Sequence, residues 1–519
     1  MNQSFLRIFL GVSLAFLNEG DAPICYNHIV ESIKQRKDVS ADETNEKSLS
    51  GILAAVLWIS AMSGCAAEKP DSVFQQNMTA AATAPLDEKI LLTDTVTSQD
   101  GTAQYTIHLN QQLTSAPLPI AEVVPHRLTG EDVKRVAQAL FADAVFYERE
   151  HEENGVYSKE QLQKRIRWMT ELATREALAE LYGGEEYVED TLESLRFWLQ
   201  KYTVQMETAP TENPHTPCEW TFQKDKHYAA SYNSWGDDWI IATVDFGEVN
   251  YNVFAVRRDA GQGKLNRISV QFGDGLGNAD VEMRYLRAKL CRTPKPTREQ
   301  IDSLKEKAQA MLNRMGMGQW EISFADVIEE HYGAATEYEV RLCATPVFQG
   351  VPALYGQQIP CLAGNVASDY HISTATFHFS ANGELSYFDL DAPLEIKSIV
   401  NNGAAILPTE TLLERTKEYL ARYGVDSQHL VFFPMEWHQK PLSCKVSVDS
   451  LKFGLLRTAA EKKDGSFYYT PAFGVYGRVS YYDKESGEPV RLPSGFPDVE
   501  IDRPLIWVNA VDGSLIEEA

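Results

Sequence analysis

Hydrophobic positions along this chain recur with two periods, and the switches between them outline the elements. Around Asp100-Gly101 the period is two. Thr95-Val96-Thr97 and Tyr105-Thr106-Ile107 therefore predict a strand pair, since Asp-Gly supplies the positive φ of a tight hairpin. After Pro125 the period lengthens: Val133, Val136, Ala137, Leu140, Phe141 and Ala144 recur at helical spacing behind a cap at Thr129, with Asp132 in the first turn. Ser158 with Gln161 forms a capping box for a second helix striped by Leu162, Ile166, Met169, Leu172 and Ala173, which Gly183-Gly184 should end. A third carries Val188, Leu192, Leu195, Leu199 and Tyr202, and its acidic start at Glu185, Glu186, Glu189 and Asp190 suits the positive end of the helix dipole.

From Cys218 to Gly273 the period returns to two in segments rich in Trp, Tyr, Val and Ile, including Trp239 to Phe246 and Asn266 to Phe272, with a turn from Arg258 to Gly263. These predict an antiparallel sheet. Beyond it the chain has the pattern of a duplicated unit. Thr297 with Gln300 opens a helix through Ile301, Leu304, Ala308, Leu312 and Met315 that Gly316 ends; Pro408 opens another through Leu412, Leu413, Leu420 and Tyr423, ending at Gly424. Each leads into β-rich segments, closing at Asn382-Gly383 and at Asp512-Gly513. The expected class is α+β: a helical segment plus antiparallel sheets within 86–290, then two C-terminal helix-on-sheet units at 291–403 and 404–519.

Ahead of these elements, Leu49 to Cys65 is an apolar run ending in Met62-Ser63-Gly64-Cys65. It is short for a bilayer span, which takes about 20 residues. It resembles the processing signal of a bacterial lipoprotein. That resemblance implies that Cys65 is lipidated and becomes the first mature residue, that 1–64 is leader and signal peptide, and that the protein sits on the extracytoplasmic face of the membrane. The alternative is a buried helix ending in Gly-Cys. A second apolar stretch, Phe5 to Leu17, makes the leader unusually long or places the true start further in. Residues 65–85 are small and polar without a period, as a flexible tether needs.

Val508 to Ile516 resembles the closing hairpin of PepSY-type domains, small helix-on-sheet modules of secreted and membrane-attached bacterial proteins, and Phe348 to Pro352 is similar to the strand and turn that precede it. The resemblance implies envelope binding or regulation of proteases, and brings no catalytic residues with it. Taken whole, the layout resembles an uncharacterised group of lipoproteins from clostridial-type Gram-positive bacteria.

Composition narrows the picture further. With 519 residues, 44% of them hydrophobic, the chain has material for about two to four domains. Its net charge of -25, with no basic block after the signal region, argues against a nucleic-acid partner. The cysteines, Cys25, Cys65, Cys218, Cys291, Cys343, Cys361 and Cys444, contain no Cys-x-x-Cys pair, so no zinc ribbon or redox centre is implied. Cys343 and Cys361 could meet across neighbouring strands; buried single thiols are the alternative.

No Gly-x-Ser-x-Gly elbow, His-Glu-x-x-His helix or Gly-Lys-Ser/Thr loop occurs. His151-Glu152-Glu153 lacks the second imidazole that zinc requires. Cys218 lies near His215 and His227, which would suit a thiol–imidazole pair, and Phe272 to Asp280 with Glu282 holds oxygen ligands among glycines, as in a calcium loop or simply a Gly- and Asn-rich turn. Trp235 and Trp239 flank Gly236-Asp237-Asp238, so an aromatic pair beside carboxylates either forms a sugar-binding platform or packs a sheet. The expectation that follows is a lipid-anchored, non-catalytic binding or regulatory module, without cofactor or metal, whose partners are the membrane through Cys65 and an envelope protein or extracellular ligand. The alternative is an envelope hydrolase or carbohydrate-active protein using Asp237, Asp238 and the tryptophans.

Overall fold

The strand pair around Asp100-Gly101 forms and is longer than its core pattern suggests. β1 (Leu86–Thr97) and β2 (Ala103–Ser115) pair antiparallel from Leu86↔Ser115 to Thr97↔Gln104. Gly101 has a φ of 69°, and the Asp100 carboxylate accepts hydrogen bonds from Ser98 Oγ at 2.6 Å and Thr102 N at 3.0 Å. The computed structural model describes residues 86–115, 117–148, 157–182, 184–185, 188–212, 214, 216–224, 238–246, 249–257, 266–272, 279–332, 335–354, 373–422, 442–457, 466–489 and 503–516. All lie within the unit Asp71–Ala519. The leader, Cys65, the tether, Trp235 and Asp237 lie outside the described residues.

After β3 (Ile120–Pro125), α1 (Gly130–Leu140) is closed by a reciprocal cap: Thr129 Oγ1 accepts from Asp132 N at 3.2 Å while the Asp132 carboxylate accepts from Thr129 N at 2.8 Å. β4 (Phe146–Glu148) follows, then α2 (Lys159–Leu172), capped by Ser158 and Gln161 as expected. The second helix does not run on to Gly183-Gly184. Thr174 accepts a hydrogen bond from Ala177 N at 3.1 Å and starts a separate α3 (Arg175–Tyr182). α4 (Val188–Thr208) completes a helical layer whose core holds Leu162, Met169, Leu178, Leu192, Leu195 and Tyr202.

β5 (Asp238–Phe246), β6 (Val249–Arg257) and β7 (Arg267–Phe272) form the expected antiparallel run. The next element, α5 (Ala279–Cys291), had no clear stripe in the sequence because it is covered on two sides: Leu286, Leu290 and Cys291 join a sheet core while Val281 and Ala288 join the helical layer. A buried ion pair adds to the second contact. Arg165 of α2 lies 3.9 Å from Glu282, with its guanidinium 4.4 Å from the Tyr157 ring centroid.

α6 (Arg298–Arg314), capped by Thr297 and Gln300, precedes β8 (Trp320–Tyr332), β9 (Ala335–Phe348), β10 (Val351–Pro352), β11 (Thr374–Ser380) and β12 (Leu385–Asp391). Then come β13 (Leu394–Asn401), α7 (Thr409–Arg422), β14 (Leu442–Arg457), β15 (Phe467–Asp483) and β16 (Arg503–Asn509). The class is α+β. Among the described residues there are seven helices and two largely antiparallel sheets, and no helix is long and apolar enough to cross a membrane.

The strands are shared between the sheets in a way that the linear division at 290/291 and 403/404 does not follow. One sheet runs β1-β2-β14-β15-β3-β13 with β16 also on β15; the other runs β10-β9-β11-β12-β7-β6-β5-β4 with β8 on β9. Thus β12 pairs with β7 across the first boundary, and β2 lies parallel to β14 across the second. Each pairing covers a row of backbone donors and acceptors that would otherwise form an open edge.

Within this arrangement the two helix-then-strand stretches have matching connectivity. β8 pairs β9, β9 pairs β11 and β11 pairs β12; likewise β14 pairs β15, β15 pairs β16, and Val508 of β16 bridges Leu515. Both closing turns touch their preceding helix. Lys307 Nζ of α6 donates to Gly383 O at 2.6 Å, and Tyr419 OH of α7 donates to Gly513 O at 2.9 Å. Both glycines have positive φ, 85° and 76°.

Candidate functional site

β9 has one apolar and one polar face. Val340, Leu342 and Ala344 enter a core with Leu304, Ala308 and Leu312 of α6, so Glu337, Glu339, Arg341, Cys343 and Thr345 point to the opposite face. Register carries that second face across the sheet. Directly opposed residues form the row Asp326, Arg341, His378, Tyr387, Gln271, Asn252 and Thr243, and beside it the row Phe324, Cys343, Thr376, Asp389, Ser269, Phe254 and Ile241.

Polar contacts fix the side chains of these rows. Arg341 Nη2 lies 2.6 Å from Asp326 Oδ2. Arg267 donates to Asp389 Oδ1 at 2.7 Å and to Tyr387 OH at 3.0 Å, and Ser269 Oγ donates to the same Asp389 oxygen at 2.5 Å. Burial pushes the Asp389 carboxyl up, against the lowering effect of Arg267 and Ser269, and burial likewise raises the Tyr387 phenol. His378 packs edge-on to Tyr387 with ring centroids 5.3 Å apart.

At the Glu339 end, α5 descends onto the face. Arg287 Nη2 lies 2.8 Å from Glu330 and 3.5 Å from Glu339, and its Nε lies 3.3 Å from Glu337, which Arg292 also approaches at 3.3 Å. Cys291 Sγ donates to Glu339 Oε1 at 3.4 Å, and His378 Nδ1 lies 3.2 Å from Glu339 Oε2. Burial works against the Glu339 charge, yet the His378 contact and the Arg287 charge hold its carboxyl down at about 2. The Cys291 thiol is driven upward by burial and the neighbouring carboxylates. This end is therefore an ionised cluster that ties α5 to the sheet.

Of the residues singled out from the sequence, Cys343 is a member of the second row and Trp239 stands in the next row of the same face, Trp239, Val256, Arg267 and Asp391. Trp239 is buried against Val256, with Ile241 and Phe254 beside it, and its backbone exchanges hydrogen bonds with Gln223 at 2.8 and 3.0 Å. Its ring is buried in this small cluster on the sheet. Asp238 is paired with Arg257 at 2.7 Å, and that guanidinium stacks 4.4 Å from the Phe222 ring centroid. Burial raises the Cys218 thiol to about 11, and His215 and His227 lie outside the described residues. Glu282 is committed to Arg165, and residues 273–278 of the proposed calcium loop lie outside the described residues. Among the described residues no set of three His, Cys, Asp or Glu side chains is placed to share a metal ion. Cys218, Cys291 and Cys343 are not in disulfides, and Cys361 lies outside the described residues.

The polar rows escaped the sequence analysis. The alternation of Glu337, Glu339 and Arg341 against Tyr338, Val340 and Leu342 was legible, but which residues stand beside them depends on register across strands distant in the chain.

No known family model matches the chain, and no curated protein matches it. Among solved structures, it is similar to an uncharacterized protein from Eubacterium rectale ATCC 33656, with 10% identity over 81% of this chain and 98% of that one, at a TM-score of 0.35.

Proposed function

We propose that the chain is a lipoprotein held on the extracytoplasmic face of the membrane through Cys65, and that its folded part is a binding or regulatory module of the envelope rather than an enzyme. The observation that carries the binding role is the polar row of the nine-stranded sheet, from Asp326 through Arg341, His378 and Tyr387 to Gln271. Its charged members are already oriented by neighbours, so a ligand would meet pre-positioned donors and acceptors at a low ordering cost. The anchor rests on the apolar run closed by Ser63-Gly64-Cys65.

The same reading takes α6 with β8 to β12, and α7 with β14 to β16, as two PepSY-like units. Support comes from their matching strand connectivity and from the two positive-φ glycines, each bonded by a side chain of the unit's own helix.

Two measurements test the reading. Intact mass and N-terminal peptide mapping of protein extracted from the membrane fraction of its native host should give a mature chain beginning at lipid-modified Cys65; an unprocessed soluble chain refutes the anchor. Cross-linked capture from the same envelope should be lost on Arg267→Glu and kept on the control Lys484→Glu, in the exposed turn after β15 of the other sheet; equal capture by both variants refutes the face.

One observation favours a second reading, an envelope hydrolase or carbohydrate-active protein. An ionised Glu339 beside His378 Nδ1 is an arrangement that orients an imidazole for proton transfer. Turnover by purified protein that disappears in a folded His378→Ala variant would establish it.

A further inference from the structure

β13 is the last strand of its sheet, and among the described residues no strand is bonded to its outer edge. Its residues from Glu395 to Val400 are all exposed, with Ile396 at 43%, Ile399 at 49% and Val400 at 37%. Ile396 is opposite Val123 and Ile399 opposite Ala121, and both of those partners are wholly buried. The apolar face of the sheet therefore continues past its covered part onto an open edge, where soluble proteins usually place shielding.

The strand is self-complementary. His126 N donates to Pro393 O at 2.8 Å, so that carbonyl points inward toward β3, and the antiparallel alternation, regular as far as Ile396 before the register shifts at Ile396/Ser398 and Ile399/Asn401, turns the groups of Leu394 and Ile396 outward. Glu395 and Lys397 flank Ile396. Both reach toward the opposite face from Ile396: Glu395 contacts His126, and Lys397 Nζ lies 3.2 Å from Glu122.

We propose that β13 pairs antiparallel with β13 of a second copy of this chain, about a two-fold axis through Ile396. In that register Ile396 exchanges its outward N–H and C=O with the partner's Ile396, and the two apolar side chains meet on one face. Glu395 stands opposite the partner's Lys397, and the symmetry repeats this pair, so opposite charges align twice on the other face. The occupant is a second copy because the strand's own charge order supplies the complement.

The test is sedimentation velocity of the full chain from the low- to the high-micromolar range, with three variants whose fold is checked by circular dichroism and urea midpoint. Wild type should dimerise reversibly. Lys397→Glu sets like charges opposite each other at two symmetric places and should weaken the dimer about tenfold. The charge swap Glu395→Lys with Lys397→Glu should restore it. Ile396→Pro removes an outward donor while leaving the inward bonds to β3, and should return the protein to monomer. A wild-type monomer throughout the range overturns the proposal. So does a dimer indifferent to Lys397→Glu and Ile396→Pro, or a loss that the charge swap fails to rescue.

Discussion

Glu339 couples the stability of the polar cluster to pH in a way that can be calculated. Its carboxyl falls from an ordinary value of 4.5 to about 2 in the folded protein, because the His378 contact and the Arg287 charge outweigh its burial. At about 1.4 kcal/mol per pKa unit this corresponds to about 3 kcal/mol of folding free energy. The sign follows from proton counting: between pH 4.5 and 2 the unfolded chain binds more protons at this site than the folded one, so stability rises with pH there. The contribution is full above 4.5 and is lost as pH falls toward 2. Glu339→Gln removes this titration while keeping nearly the same shape. Urea unfolding curves, measured at several pH values between neutral and about pH 2.5 and compared at matched m-values, give the difference directly. Wild type should lose about 3 kcal/mol more than the variant across the window. Parallel loss in the two proteins would refute the assignment of an ionised, stabilising carboxylate at this position.

Arg287 faces three carboxylates, but Glu337 keeps Arg292 at 3.3 Å and Glu339 keeps His378. Arg287→Met should therefore cost about 2–3 kcal/mol, below the usual penalty for breaking a buried pair, read from the urea midpoint. At the two closing turns, Gly513→Ala should destabilise more than Gly383→Ala. Both glycines have positive φ, but a Cβ at Gly513 would lie 3.0 Å from Leu407 Cδ1, against 3.5 Å from Leu304 Cδ2 at Gly383; the strain common to both is about 1 kcal/mol. Cys218, with its thiol at about 11, should react with iodoacetamide at pH 8 far more slowly in the folded than in the urea-unfolded protein, followed by peptide mass analysis.

The features legible in the sequence are those set within a few residues of chain. Caps at Thr129, Ser158 and Thr297 work through a side chain and the backbone three residues on, and each forms as expected. The turns at Gly101, Gly383 and Gly513 are equally local, since each needs only a residue that tolerates positive φ. Tertiary structure decided the rest. The second helix divides at Thr174 and α5 forms without an evident stripe because it is covered from two sides, by the sheet and by the helical layer. Which side chains surround Trp239 was likewise set by pairing, which places it opposite Val256 in a small buried cluster. The polar row from Asp326 to Thr243 exists because β8, β9, β11, β12, β7, β6 and β5 lie side by side in one register, and the open edge of β13 because β3 is its sole strand partner among the described residues. Caps and turns are short-range chemistry that a linear chain carries in itself, whereas the pairings of β12 with β7, β14 with β2 and β13 with β3 join segments more than a hundred residues apart and are chosen by the burial of whole faces.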